Sequence, residues 1–276
     1  MTKEGYRSYL NSHYNSSGSR AASSYYTAIA ILDNIFRQND LFCLNGTSLC
    51  CLDDIDMLLE ITEFVKLQEG LFRTDESGIF SLGNPKQKGY PKGRFCSAAM
   101  KSLISYYESC KQQAARRVVI KLRSGALISK KLISLYGIND YHGEDVVRET
   151  KARIGQSFFR KMLLENYNGK CGVTGLDVPE VLRASHIVAW SEDKNNRMNP
   201  ENGIILSATY DAAFDQHLIS FDENYRMIVS KEIKDHYTSE VAKEYFLDKE
   251  GLQLALPSKF PPNQLLLQKH RELMVG

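Results

Sequence analysis

The chain has 276 residues, of which 43% are hydrophobic and 25% are charged, and its formal net charge is +2. This composition is typical of a soluble globular protein with a buried core. No stretch approaches the roughly 20 apolar residues that a membrane-spanning helix needs, and the N-terminus lacks the apolar run of a secretory signal. We therefore expect a cytoplasmic protein with no membrane attachment.

The cysteines argue against a structural zinc site. None of them forms a CxxC pair, and no spacing of cysteine and histidine fits a zinc module. In a cytoplasmic protein such cysteines are expected to be reduced and mostly buried. The six are Cys43, Cys50, Cys51, Cys96, Cys110 and Cys171.

Residues 1–112 are predicted to form a mainly helical recognition or regulatory domain. Apolar residues recur at helical spacing over residues 21–38, 50–68 and 94–112. Asp53 or Asp54 is a suitable cap for the second of these helices. Residues 77–91 are rich in glycine and proline and are expected to be irregular.

Lys88, Lys92 and Arg94 lie in a loop between the second and third of these predicted helices. Together with a tyrosine and two glycines, these cations are candidates for contacting nucleic-acid phosphates or a base. The alternative is a surface loop that its lysines keep soluble.

Residues 113–154 are predicted to form a basic connector. From Lys111 to Lys170 there are thirteen basic and five acidic residues, a net charge of +8, whereas residues 171–230 have four basic and nine acidic residues, a net charge of −5. Such an asymmetry suits an enzyme that binds a polyanion, but a solvated helix face also explains a basic run. The candidate nucleic-acid contacts here are Arg116, Arg117, Lys121 and Arg123.

The segment from Arg183 to Asp215 contains the residues that are best suited to catalysis. A strand ending near His186, an irregular polar loop, a strand following Asn202 and a helix capped by Thr209 are predicted in that order. Asp211 and Asp215 are four residues apart, so they share one face of the helix and are suited to holding one hard cation. A neutral histidine can deprotonate water, and Asn202 can hold the loop through hydrogen bonds to its backbone.

The same residues resemble the HNH (ββα-metal) endonuclease family, and within it a restriction-endonuclease-like group. The resemblance rests on CGVTGL from Cys171, RASHI from Arg183, and the run from Asn199 to Asp222. It implies that His186 is the general base, that Asn202 is the motif asparagine, and that Asp211 and Asp215 bind one divalent ion, Mg²⁺ or Mn²⁺. The implied fold class is α+β, with an HNH nuclease domain at residues 155–276 preceded by the helical N-terminal domain.

Two features depart from the family pattern. Ser185 stands where a metal-binding histidine or aspartate is often found, and the cysteine pairs that hold a structural zinc in many members are missing. Ser185 is therefore either a weak ligand or a place where water replaces a side chain. His217 is interpreted as a surface residue, with a rival to Asp215 for the metal as the alternative. Trp190 is interpreted as a residue that packs in the loop, with base stacking as the alternative.

Arg183 and Arg197 are the remaining candidate nucleic-acid contacts, although Arg197 is equally suited to pairing with a loop carboxylate. Near the C-terminus a helix is predicted over residues 263–274, where His270 and Arg271 form either a solvated end or a contact to the DNA backbone.

The function predicted from the sequence is that of a metal-dependent endonuclease that cuts double-stranded DNA and acts in restriction or defence. A homodimer is compatible with this function. Two alternatives remain open. One is a DNA-binding module with an inactive ββα core, and the other is a nuclease effector regulated by a ligand or partner bound at the N-terminal half.

Overall fold

The structure, a computed structural model, describes residues 1–14, 20–44, 46–138 and 145–274, with side chains omitted for 145–148. Its helices and two small antiparallel sheets confirm the predicted α+β class. The chain divides into two compact units, Met1–Ala114 with His142–Glu149, and Ala115–Tyr141 with Thr150–Gly276. Of the predicted connector, residues 139–144 lie outside the described range.

The first unit is helical, as the apolar spacing predicts. Its core is formed by large apolar side chains such as Leu32, Phe36 and Leu58, which are fully buried and each contribute roughly 1.5–3 kcal/mol. The helices are α1 (Lys3–Tyr14), α2 (Ala21–Gln38), α3 (Ile55–Asp75), α4 (Gly89–Lys92) and α5 (Phe95–Lys121), which continues into the second unit.

Carboxylates cap two of these helices. Asp54 accepts hydrogen bonds from the backbone of Asp56 and Met57 at the start of α3, which confirms one of the two predicted caps. Glu69 is buried, and it accepts hydrogen bonds from the backbone N–H groups of Cys96 and Ser97. These N–H groups have no partner within helix α5, so Glu69 fixes the start of that helix on α3.

The region predicted to be irregular, residues 77–91, contains short turns of 3₁₀ helix and the start of α4. Helix α5 continues nine residues beyond its predicted end, to Lys121. The β-branched triplet Val118–Ile120 therefore lies in a helix despite its weaker helix propensity.

The second unit contains both sheets. Strand β1 (Leu182–His186) pairs antiparallel with β2 (Gly203–Ser207), and β3 (Ile219–Phe221) pairs antiparallel with β4 (Met227–Val229). The helices are α6 (Gly125–Tyr136), α7 (Asp145–Asn166), α8 (Ala208–Asp215), α9 (Lys231–His236), α10 (Glu240–Tyr245) and α11 (Gln264–Glu272).

The local sequence explains one helix end in this unit, and a second helix end differs from its prediction. After α7, Asn168 and Gly169 adopt positive φ angles, as expected for a left-handed helix stop. The predicted cap Thr209 of α8 is wrong, because the N-cap is Ser207 and Thr209 already lies within the first turn. Among the described residues, no helix combines the length and the apolar character needed to cross a membrane.

Candidate active site

Strands β1 and β2 and helix α8 bring the predicted site residues together. His186 is the last residue of β1 and pairs with Gly203, the first residue of β2. Helix α8 follows β2 directly and packs on β1. A cavity of about 790 Å³ opens at this place, and its walls include His186, Asp211 and Asp215.

His186 is held by contacts on three sides. Its ring stacks on Phe159 of α7 with 4.0 Å between centroids, and Trp190 meets it edge-on at 5.6 Å. Nε2 lies 3.0 Å from the backbone carbonyl oxygen of Arg197. A carbonyl oxygen only accepts hydrogen bonds, so Nε2 carries the hydrogen, and Nδ1 of the neutral ring keeps its lone pair.

Burial lowers the pKa of His186 to about 4, although the hydrogen bond to the Arg197 carbonyl acts in the opposite direction. The ring is therefore neutral at pH 7. Within the described residues, no group makes a hydrogen bond to Nδ1, and the ring lines the cavity. This nitrogen is thus available as a proton acceptor.

Asn202 closes the loop between the two strands. Its side chain is fully buried, and its Oδ1 accepts a hydrogen bond of 2.9 Å from Val188 N–H. Its Nδ2 donates to the carbonyl oxygens of Val188 and Asn196, each at 3.1 Å. These bonds confirm the predicted side-chain to backbone role, in which Asn202 joins both ends of the loop that carries the Arg197 carbonyl.

Asp211 and Asp215 both reach the cavity from successive turns of α8. Ser185 is buried beside them, and its hydroxyl donates to Asp211 Oδ1 at 2.5 Å. Desolvation raises the pKa of Asp215, the neighbouring Asp211 carboxylate raises it further, and His217 acts in the opposite direction. The two carboxylates therefore repel each other, and a bound cation would stabilise their charged forms.

Residues 171–222 match a family model described as HNH endonuclease. The matched residues begin at Cys171, include β1, β2 and α8, and end just after β3. These residues are called the HNH segment below. No match to the chain was found among curated proteins. The HNH segment indicates nuclease chemistry on nucleic acid, and a helical region precedes it, as the sequence predicts.

The donors in the HNH segment suit a hard cation that retains water ligands. No group of three histidine, cysteine, aspartate or glutamate side chains with metal-binding geometry occurs in the described part of the chain. Two carboxylate oxygens, with water and substrate oxygens completing the shell, are a donor set that Mg²⁺ accepts. Ser185 uses its hydroxyl to orient Asp211, so its position favours a supporting contact over direct ligation.

Cys171 stabilises the HNH segment through hydrogen bonds to its sulfur. Its buried sulfur accepts hydrogen bonds from the backbone N–H groups of Thr174, at 3.4 Å, and Ser207, at 3.2 Å. These contacts tie the turn at the start of the segment to the end of β2.

The C-terminal helix α11 forms a further wall of the cavity, which the sequence did not indicate. Lys269, His270 and Leu273 line the cavity beside the HNH residues. The predicted solvated helix end is wrong for His270, whose side chain is 2% exposed and stacks on Phe214 with 3.8 Å between centroids.

Hydrogen bonds define the tautomers of the two histidines on this wall. Nε2 of His270 donates to the Phe214 carbonyl oxygen at 3.0 Å, and Nδ1 accepts from the Ser220 hydroxyl at 3.0 Å. Nδ1 of His217 lies 3.2 Å from that same Nε2 and so acts as an acceptor. In neutral His217 the hydrogen is therefore on Nε2, which leaves neither nitrogen free to bind a cation.

Two supporting contacts explain why the loop and strands fit together. A Cβ on Gly203 would lie 2.4 Å from Leu163 and 2.6 Å from Phe159, so β2 approaches α7 closely only because this residue is glycine. The Ser129 hydroxyl of α6 donates to the Asn195 carbonyl oxygen and accepts from Met198 N–H. No local sequence pattern marks Phe159 or Ser129 as parts of the site.

The two predicted phosphate contacts in the HNH segment are already engaged. Arg197 is 6% exposed, its Nε donates to the Trp190 carbonyl oxygen at 2.6 Å, and its guanidinium lies over the Trp190 ring. This burial disfavours a phosphate contact and agrees with the packing role predicted for Trp190. Arg183 is exposed, and its guanidinium donates to the carbonyl oxygens of Glu180 and Leu182.

The remaining candidate cations fall into paired and unpaired groups. In the first unit, Lys88 and Lys92 both pair with Glu76 and lower its pKa to about 2, whereas Arg94 is exposed. In the second unit Arg116 pairs with Glu165 at 2.6 Å. Three exposed cations make no ion pair with a described residue: Arg117, Lys121 and Arg123.

Proposed function

We propose that this chain is a metal-dependent endonuclease that hydrolyses phosphodiester bonds in double-stranded DNA. The observation that carries the proposal is the neutral His186, whose Nδ1 is unprotonated and which lines a cavity together with Asp211 and Asp215 in an HNH segment. A restriction or defence role follows the resemblance of the motif to the restriction-endonuclease-like group.

In the proposed reaction a water oxygen attacks the phosphorus while Nδ1 of His186 takes its proton. One bond between the water oxygen and phosphorus forms, and one ester P–O bond breaks. Asn202 contributes by holding the loop whose Arg197 carbonyl keeps Nε2 protonated. A Mg²⁺ or Mn²⁺ ion on Asp211 and Asp215 would supply positive charge at the phosphate and the leaving oxygen.

Protonation of His186 becomes easier once substrate is bound. In the free protein, burial keeps the pKa of the ring low, at about 4. A phosphodiester anion beside the ring favours the imidazolium form and so raises this pKa toward neutrality. A base whose pKa lies near the working pH transfers protons efficiently, so the anionic substrate helps to prepare its own general base.

We assign binding of the duplex backbone to cations that lie outside the acidic cavity. Arg117, Lys121 and Arg123 are exposed and have no ion-pair partner among the described residues, which leaves them free to neutralise phosphates. A single site of this kind cuts one strand, so a double-strand cut needs a homodimer or two successive events.

Incubation with supercoiled plasmid tests the proposal directly. We expect nicked and linear products with Mg²⁺ or Mn²⁺ and none with EDTA, and parallel reactions on single-stranded DNA and RNA define the substrate. Sequencing of the fragment ends from methylated and unmethylated plasmid then reveals any dependence on base modification. Duplex binding without cleavage of any nucleic acid would contradict the proposal and support the inactive DNA-binding alternative.

A further inference from the structure

We propose that Lys269, on the C-terminal helix α11, is a phosphate-binding residue of this active site. The inference rests on the proposed function and extends it to a residue far outside the family match at residues 171–222. Lys269 is exposed and lines the same cavity as His186, Asp211 and Asp215.

The backbone that carries Lys269 is fixed by the two residues that follow it. His270 stacks on Phe214 of α8 and makes hydrogen bonds to the Phe214 carbonyl and the Ser220 hydroxyl. Arg271 donates to the carbonyl oxygen of Phe221 in β3 at 2.8 Å. Helix α11 is therefore attached to the helix that carries the two aspartates, and the Lys269 Cα has a defined position at the cavity wall.

The charges around the cavity leave a clear role for this ammonium group. The ionisable side chains of the wall include four carboxylates: Asp211, Asp215, Glu192 and Asp193. Among the described residues that line the cavity, Lys269 is the single lysine, and no arginine occurs. It makes no ion pair with a described residue. An entering phosphodiester therefore meets one fixed positive charge on a negatively charged wall.

The charge of Lys269 acts on Asp193, a carboxylate in the loop between β1 and β2. Desolvation raises the pKa of Asp193, but hydrogen bonds from Asn196 and Asn195 lower it overall, and the charge of Lys269 lowers it further. The two asparagines already satisfy the Asp193 carboxylate at 2.7–3.2 Å. Lys269 makes no hydrogen bond or ion pair with Asp193, so it keeps its three N–H donors for an anion.

Lysine suits this position chemically. Its ammonium is a compact charge on a flexible stem, so it can follow a phosphate as the backbone of the duplex enters the cavity. Each phosphate neutralised by a lysine contributes about 0.9 to the slope of log affinity against log salt concentration. Loss of Lys269 is therefore expected to reduce that slope by about one.

The test measures binding separately from cleavage. A fluorescein-labelled duplex of about 20 base pairs is titrated with protein in EDTA at several salt concentrations, using the wild type and the variants Lys269→Ala and Lys269→Arg. Lys259→Ala is the matched control, because Lys259 is exposed in the same unit and does not line the cavity. Initial cleavage rates in Mg²⁺ follow for the same proteins.

We expect Lys269→Ala to weaken binding about 3–10-fold at low salt, to reduce the salt slope by about one, and to lower kcat/KM roughly 10–100-fold. Lys269→Arg should retain most of both, and Lys259→Ala should match the wild type. Unchanged affinity and slope in Lys269→Ala, or an equal loss in Lys259→Ala, would overturn the assignment. If the wild type cuts nothing, the proposed function fails, while the binding measurements still decide the contact made by Lys269.

Discussion

His186 at the end of β1 and His270 in the last turn of α11 have closely similar surroundings. Each ring stacks on a phenylalanine, at 4.0 Å for His186 and 3.8 Å for His270. Each Nε2 donates to a backbone carbonyl oxygen at 3.0 Å, and burial lowers each pKa to about 4. By burial, stacking and pKa alone the two rings would be assigned the same role.

The difference lies in the second ring nitrogen. Nδ1 of His270 accepts a hydrogen bond from Ser220, whereas Nδ1 of His186 has no hydrogen-bond partner among the described residues. A buried histidine with both nitrogens engaged is a structural element, and one that lines a cavity and keeps an unused lone pair is chemically available. The use of this one nitrogen therefore distinguishes a candidate base from a helix anchor, and the two substitutions below should have opposite signatures.

Removal of the candidate base should have the largest effect. We expect His186→Ala to lower the rate of plasmid cleavage about 10³-fold, within the range for loss of a general base, and to leave duplex binding in EDTA unchanged. His236→Ala is the matched control, because His236 is exposed in the same unit and does not line the cavity. His186→Asn provides a polar replacement if alanine destabilises the loop. Cleavage at the wild-type rate in both His186 variants would exclude this residue as the base.

Substitution of the anchor should act on stability first. His270→Ala removes hydrogen bonds to Phe214 and Ser220 and opens a gap beside the Phe214 ring. We expect the free energy of unfolding in urea to fall by about 3 kcal/mol, as for other buried side chains that lose both packing and hydrogen bonds. A stability equal to that of wild type, accompanied by loss of cleavage, would instead place His270 in the chemistry.

The lowered pKa of His270 adds a signature in the pH dependence of stability. His270 binds a proton near pH 6.5 in the unfolded chain and only near pH 4 in the folded protein. Its contribution to the free energy of unfolding is therefore complete at pH 7 and declines as the pH falls from 6.5 to 4. From pH 7 to pH 5 this one group should remove about 2 kcal/mol. His270→Gln, which cannot titrate, should lose correspondingly less on acidification, and an unchanged pH slope would contradict the lowered pKa.

The sequence predicts those parts of the site whose signals are local. The order strand, loop, strand, helix and the loop-closing bonds of Asn202 depend on neighbouring residues, and both are found in the structure. The cap of α8 was misplaced because Ser207 and Thr209 have similar side chains, and only the backbone angles of Ser207 distinguish the cap.

Tertiary contacts determine what the sequence could not predict. His270 and Arg271 are polar residues at a helix end, where a solvated position is the ordinary expectation, yet Phe214 and Phe221 engage both of them. Phe159 lies within an amphipathic helix, and its pattern does not reveal that His186 stacks on it. Residues that meet only after folding leave no periodic signal along the chain.

The candidate DNA contacts also differ in whether the cation already forms an ion pair. Substitutions of these cations should have the smallest effect of those considered. Lys88 and Lys92 share Glu76, whereas Arg117 and Lys121 make no ion pair with a described residue. A lysine that must leave a carboxylate to reach a phosphate gains less than a free cation. The double variant Lys88→Ala/Lys92→Ala should therefore reduce the salt slope of duplex binding by less than one, and Arg117→Ala/Lys121→Ala by about two. Equal salt slopes for the two double variants would mean that exposed ion pairs do not predict which cations bind DNA. A larger reduction for Lys88→Ala/Lys92→Ala would assign DNA binding to the first unit.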